Sequence, residues 1–230
     1  MKRTLFFGIL AVVLGFTACS DDDDNKETIT GGGLPTQTTG TAMRMGDIPV
    51  NWIQLWAGGP KFAEYNIGAE NNKAEDYGFY LTWGGKINNV DAATWTDDHR
   101  KGLGDLTGTD DTAIYLWGSN WRMPTKDELE GLFDPAKCTA TWVEDYNGSN
   151  KGLLFQGLEG TAYKDNSVFF PAAGSIVDGD FLSKGSCCYY WTSAQDVRTG
   201  AFCLYHNSRS EGVTDCIRGR GNSIRPVLAE

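Results

Sequence analysis

Six cysteines and two histidines are the side chains of this 230-residue chain with the widest chemical repertoire. Cys19 is placed for modification. Lys2 and Arg3 open the chain, an apolar run from Leu5 to Phe16 follows, and Thr17 and Ala18 supply the small residues of a cleavage point. A lipoprotein signal peptidase acting there would leave Cys19 as the new N-terminus. Its acyl chains, at about 0.8 kcal/mol per buried methylene, would hold the protein on a membrane without a spanning helix. A membrane span needs about 20 apolar residues, and this run is too short. The other five cysteines, Cys138, Cys187, Cys188, Cys203 and Cys216, would then sit in an oxidising compartment. Five is odd, so at least one thiol is free or pairs between chains, and spacing assigns no connectivity. Adjacent residues on a strand point to opposite faces, so Cys187 and Cys188 do not make a two-thiolate metal site. His99 and His206 come with no recognisable Ser or Cys partner motif, and no nucleophile, base and orienting group stand together. No catalytic residue, metal ligand or cofactor is assigned, and no enzyme is expected.

Recognition chemistry collects toward the other end. Residues 19 to 186 contain ten Lys and three Arg, whereas 187 to 230 contain no Lys and five Arg: Arg198, Arg209, Arg218, Arg220 and Arg225. Four of the five non-lipid cysteines lie there too. Apolar positions Trp191, Ala201, Leu204, Val213 and Ile224 are expected in the core. Between them Asp196, Arg198, Cys203, Tyr205, His206, Arg209, Asp215, Cys216, Arg218 and Arg220 are expected to line an exposed, ligand-binding face. Arg and Tyr dominate binding hot spots, and loops on a rigid scaffold commonly carry recognition. The competing reading is a polar, loop-rich surface with one disulfide, for which Cys203 with Cys216 is the candidate pair.

Cleavage before Cys19 removes Lys2 and Arg3 from the 20 basic residues and leaves 18 against 30 acidic ones, a balance of minus 12. Such a surface repels phosphate backbones, and nucleic acid is not an expected partner. Three segments follow: a signal peptide over 1–18, an acidic start with a Thr- and Gly-rich tether over 19–45, and one domain over 46–230. Within the domain, Thr125 and Glu128 form a capping box that predicts a helix from Thr125 to about Asp134. Runs over 78–83, 139–146, 152–158, 167–170, 188–192, 201–206 and 223–228 read as strands, with Asn147-Gly148 as a hairpin turn. An α+β domain of short antiparallel strands, one or two short helices and long loops is expected. Trp83, Trp117, Trp121, Trp142 and Trp191 are assigned to the core, Trp52, Trp56 and Trp95 to loop-like stretches, and His99 to a solvated loop.

Two resemblances can now be stated. Phe16-Thr17-Ala18-Cys19 followed by Ser20 and Asp21 to Asp24 resembles the lipobox and export tag of Bacteroidetes-type surface lipoproteins. This implies an outer-membrane protein, lipid-anchored and facing the cell exterior. The ordered blocks Tyr77-Gly78-Phe79-Tyr80 with Trp83-Gly84, Trp121-Arg122-Met123-Pro124-Thr125, Phe170-Pro171-Ala172-Ala173-Gly174, Tyr190-Trp191-Thr192-Ser193 and Ser223-Ile224-Arg225-Pro226-Val227 resemble the Fibrobacter succinogenes major paralogous domain family. That resemblance covers about residues 46 to 228 and implies a C-type lectin-like fold. The calcium-binding motifs of sugar-binding C-type lectins, Glu-Pro-Asn, Gln-Pro-Asp and Trp-Asn-Asp, do not occur.

The segment 187–227 also resembles the variable region of a diversity-generating retroelement. Such elements randomise adenines of Asn codons, reaching Asp, His, Tyr, Ser, Gly, Arg, Cys and Thr but not Lys. A near-copy of codons 187 to 227 differing chiefly at adenines, beside a reverse transcriptase gene, would identify one; absence of both removes the idea. Together these readings predict a membrane-anchored protein that binds an extracellular protein or glycan. The alternatives are a structural component of a surface assembly, such as a fimbrial tip or glycan-uptake complex, and an oxidoreductase like the formylglycine-generating enzymes, which share the implied fold.

Overall fold

A strand sends alternate side chains to opposite faces, and in this protein several strands have both faces covered. The computed structural model describes residues 37–88, 104–196, 200–207 and 209–229. Cys19, Trp95, His99 and Arg198 lie outside the described residues. Residues 36–230 form one compact unit.

A five-stranded sheet has the order β1-β2-β3-β13-β4, from β1 (Thr39–Arg44), β2 (Ile48–Gln54), β3 (Lys61–Ala63), β13 (Val227–Leu228) and β4 (Trp121–Arg122). A second sheet joins β5 (Cys138–Tyr146), β6 (Asn150–Gly157) and β7 (Ser167–Pro171). A third joins β10 (Cys188–Gln195), β11 (Gly200–His206) and β12 (Glu211–Ile217), and β8 (Ser175–Val177) pairs with β9 (Asp180–Leu182). All these pairings are antiparallel. With only two short α-helices among the described residues, the domain is strand-rich α+β.

Alternation divides most of the interior into two cores, beside a small third cluster of Tyr80, Ala173 and Ile176. Tyr189, Trp191, Ala201 and Cys203 pack with Trp83, Trp117 and Trp121 on one side, while Cys188, Tyr190 and Leu204 pack with Phe62, Phe155 and Phe170 on the other. Cys187 belongs to the first core and Cys188 to the second, as alternation requires. Each large side chain so buried contributes about 1.5–3 kcal/mol. Of the tryptophans assigned to loops, Trp52 is buried in β2 and Trp56 half-buried; Trp142, assigned to the core, is half-buried.

The helices start where polar caps allow. Thr125 accepts from the Glu128 amide and Glu128 reaches back to the Thr125 amide, so α2 (Lys126–Glu130) begins as expected and tightens into a 3-10 turn over Gly131–Phe133. Burial would raise the Glu128 pKa, but bonds from Arg122 at 2.6 and 2.8 Å and from the Thr125 amide outweigh it and hold the carboxyl low. A helix not anticipated from the sequence, α1 (Thr112–Trp117), starts at Asp111, whose buried carboxylate accepts from the amides of Ala113, Ile114 and Met123.

Three boundaries move, the strand expected over 223–228 shrinking to Val227–Leu228. Residues 39–44, which composition gives to the tether, pair with β2 over six residues and belong to the sheet. Residues 78–83 make only one bridge, Leu81 with Asn222, because Gly78 and Gly84 turn the chain with positive φ at either end.

Candidate binding surface

The β11–β12 hairpin positions most of the candidate residues, and its register decides which of them reach solvent. Tyr205 pairs with Gly212, Cys203 with Thr214 and Ala201 with Cys216, all on the face of the first core. His206 pairs with Glu211, Leu204 with Val213 and Phe202 with Asp215, all on the opposite face. A contiguous stretch of sequence is thus split between two sides of the sheet, and the ten candidates do not form one surface.

Three of them are interior and correct the expectation of an exposed row. Cys203 and Cys216 are joined in a disulfide with Cα atoms 6.3 Å apart, and their exposures are 0% and 6%. Arg218, 3% exposed, donates from Nε to the Gly200 carbonyl at 2.8 Å and lies over the Trp83 ring at 4.6 Å. Each of these side chains builds the scaffold. Cys138, Cys187 and Cys188 are buried thiols outside any disulfide. Burial pushes the Cys138 thiol up to about 12, with Asp134 adding to the shift.

His206 and Asp215 face the other way. The imidazole of His206 stacks on Trp142 of β5, centroids 5.0 Å apart, with Nε2 3.7 Å from the Glu211 carboxylate. Burial lowers its pKa, and Glu211 only partly offsets the loss, so the ring is held toward the neutral form. Asp215 is exposed beside Phe202, over which the Lys126 ammonium sits at 4.7 Å. Asp196 is half-buried at the far end of the hairpin, its amide donating to the Gly200 carbonyl and its carbonyl accepting from Arg218.

Tyr205 lies on the first face near the turn between β11 and β12, Arg209 stands in that turn, and Arg220 follows β12 beyond Ile217, which pairs with Gly200 at the opposite end of the hairpin. The Tyr205 ring packs against Tyr189 at 5.1 Å, and Asn207 Nδ2 donates to the Tyr205 hydroxyl. Asn207 Oδ1 accepts from the amides of Arg209 and Ser210, both at 2.8 Å, which fixes the turn and leaves Arg209 exposed. Arg220 is half-buried beside Tyr189, whose raised pKa reflects burial first and then Cys187 and Tyr205, with the Arg220 charge opposing. The Arg220 guanidinium makes no hydrogen bond or ion pair among the described residues, and its Nε is screened from water.

Sequence reasoning missed Tyr189 and Asn207. Tyr189 becomes visible only through its register with Tyr205, and Asn207 through the turn it closes. Among the described residues no three His, Cys, Asp or Glu converge where a metal ion could be held. Among the described residues β12 is an outer strand of its sheet. No family model, no curated protein and no solved structure matches the chain.

Proposed function

We propose that this chain is a lipid-anchored surface protein that captures an extracellular protein or glycan through Tyr205 and Arg209 of the β11–β12 hairpin and Arg220, which follows it. The observation that carries the reading is Arg220: a half-buried guanidinium with no hydrogen-bond or ion-pair partner among the described residues, near Tyr189 of the Tyr189–Tyr205 pair. A guanidinium presents donors in a planar fork suited to carboxylates, and a tyrosine pair offers amphipathic contact area that loses little entropy on binding. Arg209 adds a second exposed guanidinium on its Asn207-braced turn. The ligand of such a surface is an anionic one, a carboxylate-bearing glycan or an acidic stretch of protein. The Cys19 context supplies the anchor, and resemblance to the paralogous domain family supplies the expectation of a C-type lectin-like scaffold.

Retroelement diversification, on this reading, is restricted to positions that reach the surface, such as the half-buried Tyr205 and the exposed Arg209 and Asp215. Free substitution of Cys203, Cys216 or Arg218 would open the core.

The test is capture on a glycan and protein array by the full chain and by a double variant, Arg209→Ser with Arg220→Ser. Ligands captured by the parent are expected to be lost by the variant, with the thermal midpoint unchanged. Retention of capture by the variant overturns the proposal.

A further inference from the structure

A cleft of about 580 Å³ opens in a different part of the molecule and shares no lining residue with the hairpin. Arg44 at the end of β1, Tyr65 just after β3, Glu70, Phe79 and the last two residues of α1, Leu116 and Trp117, build its walls. The frame is held by backbone. The Met45 amide donates to the Trp117 carbonyl at 2.6 Å, and the Met43 carbonyl accepts from Asn120 Nδ2 at 3.0 Å and Trp121 Nε1 at 3.1 Å. Gly68, at φ 74°, lets the Phe79 ring lie against the backbone, since a Cβ there would run into the ring.

Two polar groups in this wall have no hydrogen-bond partner among the described residues. The half-buried guanidinium of Arg44 lies over the Trp117 ring at 5.4 Å and makes no hydrogen bond or ion pair among the described residues; its Nε is screened from water. Tyr65 is 2% exposed, its ring meets the edge of Trp117 at 5.5 Å, and its buried hydroxyl has no hydrogen-bond partner among the described residues. Buried polar groups are nearly always hydrogen-bonded, so two unpaired groups beside one cleft point to something that completes them. An anion answers a guanidinium with five donors and no acceptor. Trp117, Phe79 and Leu116 offer apolar surface for the rest of the molecule, and the exposed carboxylate of Glu70 disfavours a second negative group.

We infer that this cleft binds a small monocarboxylate with an aromatic or apolar body, its carboxylate on Arg44 and its body against Trp117 and Phe79. The full chain is titrated with phenylacetate and, separately, with its neutral isostere phenylacetamide, following the Arg44 Nε–H and Trp117 indole N–H resonances. Phenylacetate is expected to shift both saturably, at millimolar concentration or below, and the amide to bind at least about tenfold more weakly. Arg44→Gln should weaken phenylacetate about tenfold and erase the preference for the acid. Phe79→Ala, which truncates a partly exposed ring and leaves Arg44 in place, should weaken both probes and keep the preference. Equal response to acid and amide, an undiminished affinity in Arg44→Gln, or no saturable shift with phenylacetate overturns the inference.

Discussion

Arg225 and Arg209 carry the same side chain into opposite surroundings. Arg225 is fully buried, and its guanidinium donates to Asn66 Oδ1 at 2.8 Å and to the carbonyls of Ala63, Glu64 and Phe169 at 3.1, 2.5 and 2.8 Å. It ties the start of the segment after β3 to β7 while lying over Phe170 at 5.1 Å. Burial lowers its pKa to about 10, still far enough above neutrality that the charge persists. Removing it strands several buried acceptors, each costing about 1–3 kcal/mol. Arg225→Met is expected to lower unfolding free energy by about 3–5 kcal/mol in urea titrations. Arg209→Ser, at an exposed turn, should change it by less than about 0.5 kcal/mol. Equal effects from the two would mean that the buried network is not the one described.

At the scale of elements, local signals were legible and surface assignments were not. The capping box of Thr125 and Glu128, the Asn147-Gly148 turn and the apolar runs of β6, β7, β10 and β11 all act over a few residues, and each forms where its sequence places it. The candidate row from Cys203 to Arg220 failed as a single surface because strand alternation, not sequence adjacency, decides what shares a face. α1 went unread because its cap, Asp111, draws on the distant Met123 amide as well as its own first turn. β1 went unread because a strand with half its residues exposed needs few large apolar side chains. The Cys203–Cys216 bridge closes a separation of 13 residues, for which loop entropy gives about 3 kcal/mol. Cys203→Ala with Cys216→Ala should cost about that much in denaturant unfolding, and reduction of the parent should match it. No loss in either case would show that the strand pairing suffices alone.

At the scale of the molecule, the sequence disclosed the domain but placed its start too late. β1 gives the sheet its outer strand, and its Met43 carbonyl receives the Trp121 and Asn120 side chains beside the first core. A chain beginning at Thr36 should therefore melt as the full chain does, whereas one beginning at Gly46 should lose several degrees in thermal midpoint by calorimetry. Equal midpoints would make β1 dispensable. The separation into two cores was beyond the sequence, because which of two adjacent side chains, Cys187 or Cys188, meets which aromatic cluster depends on contacts across the whole chain.

β13 sits between β3 and β4, so the last of the described strands in chain order is an inner strand of the five-stranded sheet. The residues from Tyr189 to Arg220 all precede that closing strand. A stop codon or frameshift anywhere in the hairpin therefore deletes the piece that joins β3 to β4, and such a chain cannot close its sheet. Only reading frames intact through Val227 supply the strand that joins β3 to β4.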